Sequence, residues 1–308
     1  MSIDIIRRNL TAIYQQISNA AIRSGRNAAD VKLVAVTKYA EWSWIETLNQ
    51  ILCSEEHSDS SLSASEQRER RPADEPDGST GSRAFRPPQS SDLSVPLGSF
   101  LPASEQRERR PADEPVGSNG SRAFRPLFGE NRPQQLAERQ QKLPDVEWHL
   151  IGQLQRNKVK LALQHASMIH SVDSVRLLER IAVVGQELGQ IPRVLIQVNL
   201  SREEAKSGFD ADTIRAEWND VVSFSDRVHI DGFMTMAAEA DDPETARPVF
   251  RELRKLRDEL RNTAVAKAKG LTLPELSMGM SGDFIPAIEE GATLIRIGSR
   301  IFEGLDAV

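Results

Sequence analysis

Short apolar runs alternate with amphipathic segments along most of the chain. The first segment, Ile3–Ser24, places Ile6, Leu10 and Ile13 on one face at helical spacing. The next run, Val31–Lys38, has the continuous apolar character of a strand buried on both faces. The alternation then repeats and predicts eight strands, namely Val31–Lys38, Leu127–Asn131, Val146–Gly152, Ser167–Val172, Arg193–Leu200, Val228–Thr235, Leu271–Ser277 and Ala292–Ser299. Such regular units are typical of parallel α/β folds.

Amphipathic or capped segments follow the strands and predict the helices of these units. The predicted helices are Glu41–Leu52, Pro133–Gln141, Leu154–His165, Ser174–Leu188, Asp212–Phe224, Pro243–Ala268 and Asp283–Glu290. A short turn follows the last strand.

One segment, Cys53–Pro126, interrupts this alternation. It contains no Ile, Met, Trp, Tyr or Lys, and 29 of its residues are Ser, Pro or Gly. A 24-residue sequence, Ala64–Pro87, recurs as Ala103–Pro126 with 22 of 24 positions identical. Such a composition cannot bury enough apolar surface to offset the entropy of ordering, and it predicts a disordered insertion. The alternative is that its RERRP and AFRP motifs dock an anionic partner or a peptide.

The remaining roughly 234 residues are close to the length of one (β/α)₈ barrel, about 250 residues. We therefore predict a single α/β domain, a TIM-type (β/α)8 barrel formed by residues 1–52 and 127–308. The insertion, residues 53–126, lies between the first barrel helix and the second strand. A doubly wound open sheet is the alternative, although eight regular units favour closure.

Composition and charge exclude several classes of protein. The net charge of −6 argues against a nucleic-acid binder that works through bulk electrostatics. No apolar stretch approaches the ~18 residues of a membrane span, and the N-terminus carries no signal-peptide pattern. The lone Cys53 excludes an internal disulfide and a multi-cysteine metal site. These features predict a cytoplasmic protein with neither a nucleic-acid nor a membrane partner.

Polar residues end the apolar runs, where the chemistry of such barrels lies. They are Lys38, Asn131, His149, His170, Asn199, Thr235, Ser277 and Arg296. A lysine at the end of a buried strand offers a nucleophilic amine that can form a Schiff base with an aldehyde. The alternative is a lysine that reaches to solvent at the barrel rim. His149 and His170 could ligate a metal, but no neighbour has ligand spacing, so a positioning role is favoured and no metal is predicted.

A second candidate cluster follows strands seven and eight. SMGMSGD, Ser277–Asp283, places Ser281 near a helix start, and RIGS, Arg296–Ser299, places Gly298 where the backbone can approach a ligand. Exposed N–H groups and serine hydroxyls in these two loops favour a phosphate site. The alternative is that they cap helices without a ligand. No GxxxxGK[ST] or GxGxxG motif occurs in a strand–turn–helix context, which argues against a nucleoside triphosphate or a dinucleotide.

Several motifs together resemble one family. They are VAVTK at Val34–Lys38, FGEN at Phe128–Asn131, HLIGQLQRNK at His149–Lys158, VLIQVNLSREEAKSGF at Val194–Phe209, GFMTM at Gly232–Met236, LSMGMSGD at Leu276–Asp283 and RIGSRIFEG at Arg296–Gly304. Their combination is similar to the pyridoxal phosphate homeostasis family, which shares its barrel with the N-terminal domain of bacterial alanine racemase. The resemblance covers the chain except Cys53–Pro126.

The resemblance implies pyridoxal 5′-phosphate as the cofactor and a role for each matching residue. Lys38 matches the lysine that holds the cofactor as a Schiff base, and Arg296 matches the arginine that faces the pyridine nitrogen. Asn131 matches a polar residue near the ring. The phosphate positions match Ser281, Gly298 and Ser299, with Ser277 close by. Because an arginine does not readily give up a proton, the pyridine is expected to stay largely unprotonated and to be a poor electron sink.

Two departures from the family pattern stand out. The run after FGEN ends in Gln134-Gln135, where the family usually has Gln-Glu, and Ser299 stands where Thr is common. The insertion falls at the N-terminal face of the barrel, away from the cofactor, so cofactor binding is expected to be intact.

The function expected from the resemblance is buffering and delivery of pyridoxal 5′-phosphate to apoenzymes that use it, by a monomer or weak dimer without robust turnover. The alternative is an amino-acid racemase or a related fold-type III enzyme with weak activity. Alanine racemase adds a β-domain with an acid/base tyrosine, and only four residues follow Gly304, so we expect no such domain. Tyr39, beside Lys38, is the feature that favours weak catalysis. A third interpretation is an interaction protein that acts through the arginine-rich repeat.

Overall fold

The computed structural model describes residues 2–62, 126–201 and 207–305. Within them, eight parallel strands pair in chain order, and β8 pairs with β1 to close a barrel. The strands are β1 (Lys32–Val36), β2 (Leu127–Glu130), β3 (Glu147–Leu150), β4 (Met168–Val172), β5 (Arg193–Gln197), β6 (His229–Met234), β7 (Glu275–Ser277) and β8 (Leu294–Ile297). The closed (β/α)₈ barrel confirms the predicted fold class, and the alternative of an open sheet is wrong.

The α-helices cover the outside of the barrel. They are α1 (Ser2–Arg23), α2 (Trp42–Leu62), α3 (Pro133–Lys142), α4 (Val159–His165), α5 (Val175–Glu187), α6 (Ala211–Ala216), α7 (Trp218–Ser223), α8 (Arg247–Arg261), α9 (Ala264–Ala268) and α10 (Phe284–Glu289). The apolar stripe of α1 is buried, as its spacing predicts, and α1 packs against α10. None of the described helices combines the length and apolar character needed to cross a membrane.

Three predicted boundaries differ from the structure for local reasons. The predicted helix Asp212–Phe224 is divided at Glu217 into α6 and α7. The predicted helix Pro243–Ala268 is a 3₁₀ turn followed by α8 and α9. Thr263 is the N-cap of α9, since its hydroxyl accepts a hydrogen bond from the N–H of Ala266. Strand β7 begins only at Glu275, because Leu273 has a φ of 47°, which is incompatible with extended backbone.

The predicted insertion begins later than expected. Helix α2 continues to Leu62, ten residues into the segment predicted at Cys53–Pro126. Of the described residues, Ser2–Ser58 and those from Pro126 onward belong to one compact unit. For Cys53–Leu62 the prediction of disorder is wrong, because these residues continue α2. The rest of the segment predicted to be disordered, with the duplicated repeat, lies outside the described residues, apart from Pro126 at the end of the second copy.

The barrel interior is partly apolar and partly polar. Its apolar part is a small cluster from five strands, Val34, Met168, Leu195, Met234 and Leu294. Hydrogen bonds between side chains of strands that are not neighbours must cross this interior, and His170 on β4 bonds to Ser277 on β7. A barrel that serves only as a scaffold is filled by branched apolar side chains, so the polar part requires a separate explanation.

Candidate functional site

A cavity of about 1130 Å³ opens at the C-terminal ends of the strands. Six of the residues predicted from the sequence line it, namely Lys38, Asn131, Ser281, Arg296, Gly298 and Ser299. The seventh, Ser277, is fully buried and does not line the cavity; its hydroxyl contacts Arg296 from below. The topology therefore brings residues that are up to 261 positions apart into one pocket, since all lie at or just after the carboxyl ends of parallel strands.

Lys38 lies two residues after β1 and is half-buried in the wall of the cavity. Its Nζ lies 4.8 Å from the centroid of the Tyr39 ring, within the range of a cation–π contact. The Tyr39 side chain is 86% exposed and also lines the cavity. The lysine amine and the tyrosine ring thus share one rim of the pocket.

A buried ion pair holds the backbone around Lys38. The carboxylate of Glu130 is fully buried and accepts hydrogen bonds from Thr37 Oγ1 and Arg139 Nη1. Arg139 also donates to the carbonyl oxygens of Thr37 at 2.7 Å and Ala40 at 3.1 Å. Burial raises the pKa of the Glu130 carboxyl, and the bonds from Thr37 and Arg139 oppose that rise. One guanidinium therefore fixes the carbonyls on both sides of Lys38.

Gln135, part of the Gln134-Gln135 departure from the family pattern, joins the same cluster. In the amide orientation that satisfies both neighbours, Gln135 donates to Glu130 Oε2 at 3.3 Å and accepts from Arg139 Nη2 at 3.0 Å. Sequence reasoning did not identify this cluster. Its one signal in the sequence is a glutamate inside an otherwise buried strand, a position that glutamate takes only when it is paired.

Arg296 forms the floor of the cavity and is 4% exposed. Its Nη1 donates to Ser277 Oγ at 2.6 Å, and its Nη2 donates to the Thr235 carbonyl oxygen at 3.0 Å. A guanidinium carries five N–H donors, so three of them have no acceptor among the described residues. Burial lowers the pKa of Arg296 to about 10, opposed by Asp283, and the group stays cationic at neutral pH. The floor thus offers hydrogen-bond donors to a ligand.

The loops after β7 and β8 form the other side of the cavity. The N–H of Gly298 donates to Ser281 Oγ at 3.3 Å, which ties the two loops together. A Cβ at position 298 would lie 3.0 Å from the Val36 carbonyl oxygen, so glycine permits the close approach of β8 to β1. The backbone N–H groups of Ser281, Gly282, Ser299 and Arg300 have no acceptor in the part of the chain that the structure describes. Unpaired N–H groups with serine hydroxyls suit an anion.

Helix α10 contains only six residues, so the N–H groups of these loops, rather than a helix terminus, are the backbone donors that an anion could meet on this side. Asp283 Oδ1 shapes the first loop by accepting a hydrogen bond from the N–H of Met280 at 2.5 Å. Burial raises the pKa of Asp283, which faces the same cavity.

The other strand-end candidates do not line the cavity. Thr235 Oγ1 donates to the Val198 carbonyl oxygen at 2.8 Å, and Asn199 Oδ1 accepts from Ser201 Oγ at 3.0 Å. His149 and His170 lie deeper in the barrel and bond to each other through ring nitrogens 3.0 Å apart. Two glutamines that sequence reasoning missed, Gln153 and Gln197, line the cavity instead.

Comparison with known proteins identifies the family of this chain. A family model described as "Alanine racemase, N-terminal domain" matches residues 125–305. The "Pyridoxal phosphate homeostasis protein" of Aquifex aeolicus is 40% identical over 178 residues, which is 57% of this chain and 75% of that protein. The chain belongs to the pyridoxal phosphate homeostasis protein family. The sequence resemblance is thereby confirmed.

Two solved structures are also similar to this chain. The structure of PipY from Synechococcus elongatus PCC7942 without PLP is 40% identical and covers 58% of this chain and 82% of that chain, with a TM-score of 0.53. The structure of PipY with PLP bound is 28% identical and covers 93% of this chain and 99% of that chain, with a TM-score of 0.58.

The buried His170 gives this family member a specific pH dependence. Burial lowers the pKa of His170 well below its usual value, and the nearby His149, Arg296 and Arg193 add to this effect. As the pH falls below the usual histidine pKa of about 6.5, the unfolded chain therefore takes up a proton at this position more readily than the folded protein does. We expect the free energy of unfolding to fall by up to about 1.4 kcal/mol per pH unit below pH ~6.5 from this group alone.

Urea unfolding at pH 7.5, 6.5 and 5.5 measures this loss. His170→Asn should reduce the slope between pH 6.5 and 5.5, whereas the exposed control His229→Asn should retain it. Parallel pH profiles for wild type and His170→Asn would show that the prediction is wrong.

Proposed function

We propose that this chain binds pyridoxal 5′-phosphate in the cavity, holds it as a Schiff base on Lys38 and serves the homeostasis and delivery of that cofactor in the cytoplasm. The observation that carries the proposal is the content of one cavity: a lysine amine, a buried guanidinium with three N–H donors to spare, and four loop N–H groups without acceptors among the described residues. The similarity to pyridoxal phosphate homeostasis proteins and to the PLP-bound structure of PipY supports it.

The residues present fit this cofactor. Its phosphate would be held by the hydroxyls of Ser281 and Ser299 and by the loop N–H groups, in the cradle that Gly298 keeps open. Asn131 lies on the wall after β2, within the same cavity. When bound, the cofactor supplies an aldehyde that condenses with a lysine amine and releases one water molecule.

The positive charge of Arg296 would determine the protonation state of the cofactor's pyridine nitrogen. A cationic guanidinium can only donate hydrogen bonds, so it would donate to the pyridine nitrogen and leave that nitrogen unprotonated. An unprotonated pyridine withdraws electrons less well than one paired with an aspartate, which disfavours the formation of a carbanion. A cofactor held by the amine of Lys38 would remain open to exchange with the primary amine of an acceptor protein or an amino acid, with Lys38 leaving as the free amine. We infer reversible holding and release of the cofactor rather than robust turnover.

Weak racemase-type catalysis is the second candidate, and Tyr39 favours it. Its phenol lies at the rim of the cavity beside Lys38, so a second acid/base group is available there. Exchange of the alanine α-proton for deuterium, lost on Tyr39→Phe, would support this candidate. If the wild-type protein shows no exchange, the result contradicts this candidate and supports the carrier function.

Reductive trapping tests the proposed function in the unmodified protein. The protein is mixed with pyridoxal 5′-phosphate, reduced with borohydride, digested and analysed by mass spectrometry. We expect the adduct on the peptide that contains Lys38, in preference to the other eight of the nine lysines. Pyridoxal without phosphate is the control and should label Lys38 far less. Absent labelling, or labelling spread evenly over the lysines, would contradict the proposal.

A further inference from the structure

Five polar side chains form a continuous hydrogen-bonded chain through the inside of the barrel. It begins at Glu147, at the N-terminal start of β3, and ends at Arg296 in the floor of the cavity. Going inward, Glu147 Oε1 lies 3.2 Å from His149 Nε2, and His149 Nδ1 lies 3.0 Å from His170 Nε2. His170 Nδ1 lies 2.9 Å from Ser277 Oγ, which accepts from Arg296 at 2.6 Å. Only Glu147 has a substantially exposed side chain, at 30%.

The two ends of this interior chain determine its direction. The Glu147 carboxylate only accepts, so a neutral His149 donates to it from Nε2–H and accepts at Nδ1 from the Nε2–H of His170. His170 Nδ1 is then an acceptor and takes the Ser277 hydroxyl proton, while a lone pair of Ser277 Oγ accepts from Arg296, which only donates. With neutral histidines, the reverse tautomers would set the lone pair of His149 Nε2 against the carboxylate. Every proton of the interior chain is therefore assigned.

The charges around the interior chain support this assignment. The hydrogen bond from His149 lowers the pKa of Glu147, with Arg193 and Lys32 on the same face adding to the effect. Burial lowers the pKa of His170, which keeps that ring neutral. With a pKa of about 10, the Arg296 guanidinium is a weaker acid than a histidine imidazolium, so its proton stays on Arg296. The interior chain therefore orients groups without transferring charge.

We propose that Glu147, His149 and His170 are positioning residues, which hold the Ser277 hydroxyl proton toward His170, leave its lone pairs for Arg296 and thereby fix the Arg296 guanidinium toward the cavity. With Nη1 on Ser277 and Nη2 on the Thr235 carbonyl, the remaining N–H donors have one orientation available. A carboxylate at one face of the barrel thus controls the donor that meets the ligand at the other face. The effect on pyridoxal 5′-phosphate rests on the proposed function; the tautomers do not.

Nitrogen-15 NMR of the imidazole rings tests the interior chain without any cofactor. We expect His149 and His170 to be neutral Nε2–H tautomers at pH 7, with signals assigned by their loss in His149→Phe and His170→Phe. An Nδ1–H tautomer or an imidazolium at either ring would overturn the proposal. This outcome is independent of whether the protein binds pyridoxal 5′-phosphate.

Cofactor affinity tests the positioning role. Glu147→Leu removes the terminal acceptor and should weaken binding of pyridoxal 5′-phosphate about tenfold, the factor carried by one hydrogen bond to a charged group. Glu147→Gln keeps an acceptor oxygen and should stay within about twofold of wild type. Glu275→Leu is the matched control, since Glu275 bonds to Lys32 and Thr293 on the same face without joining the interior chain.

Three results separate the interpretations. Weakening by Glu147→Leu alone supports positioning, and unchanged affinity in that variant overturns it. Equal weakening by Glu275→Leu also overturns it, because loss of any carboxylate from that face would then suffice. If wild type binds no pyridoxal 5′-phosphate, the proposed function and the role of the interior chain in orienting a donor to this cofactor both fail, while the NMR result still reports the tautomers.

Discussion

Replacing Lys38 with alanine is expected to abolish the visible absorbance band that forms when pyridoxal 5′-phosphate is added to the protein. The band requires a C=N bond between the cofactor and a lysine, and Lys38 is the lysine that lines the cavity in the described part of the chain. The phosphate-binding loops are untouched by the substitution, so weak non-covalent binding should remain. Absorbance titration of wild type and variant measures the first effect, and competition by inorganic phosphate measures the second.

Lys142→Ala is the matched control for Lys38→Ala. Lys142 also lies over an aromatic ring, with its Nζ 4.6 Å from the centroid of the Trp42 ring, but it does not line the cavity. This variant should give the full band. A band that survives in Lys38→Ala would show that another amine carries the cofactor, and loss of the band in both variants would indicate a general defect in folding.

The apolar pattern was sufficient to predict the barrel because parallel strands are buried on both faces. Runs such as Val194–Val198 are mostly apolar, and a polar residue, here Asn199, follows them. Because closure of the barrel brings the strand ends together, the strand-end pattern predicts that Lys38, Asn131 and Arg296 lie near one another, and all three line the cavity. The same reasoning selected Asn199 and Thr235, whose side chains bond to nearby backbone or to a serine instead.

The supporting contacts could not be predicted in the same way. The bond between His170 and Ser277 depends on which residues of β4 and β7 reach the same level across the barrel, and sequence spacing does not encode that stagger. Arg139 lies in PQQLAERQQK, a helix whose polar composition suggests a solvated face. Its role emerges only because α3 packs beside β2, which brings its guanidinium to a buried carboxylate.

Replacing Arg139 with leucine is expected to destabilise the protein by about 3–5 kcal/mol, the usual cost of removing one partner of a buried ion pair. The Glu130 carboxylate is fully buried, and without Arg139 it keeps hydrogen bonds from uncharged groups alone. The carbonyls of Thr37 and Ala40 also lose their donor. Urea unfolding at pH 8 measures the loss. Arg180→Leu is the control, because Arg180 pairs with Glu187 at 3.9 Å on an exposed surface and should change stability by less than about 1 kcal/mol.

The sign of the pH dependence distinguishes an unpaired carboxylate from lost packing. Burial already raises the pKa of Glu130, and removal of Arg139 takes away an interaction that opposes the rise. A carboxyl whose pKa is raised in the folded state stabilises the fold below its unfolded pKa and loses that contribution as the pH rises through the folded pKa. The deficit of Arg139→Leu relative to wild type should therefore be smaller at pH 5 than at pH 8. The double variant Glu130→Gln/Arg139→Leu should recover much of the stability at pH 8. If the deficit of Arg139→Leu is equal at both pH values and the double variant does not relieve it, Arg139 contributes packing rather than neutralisation of the buried charge.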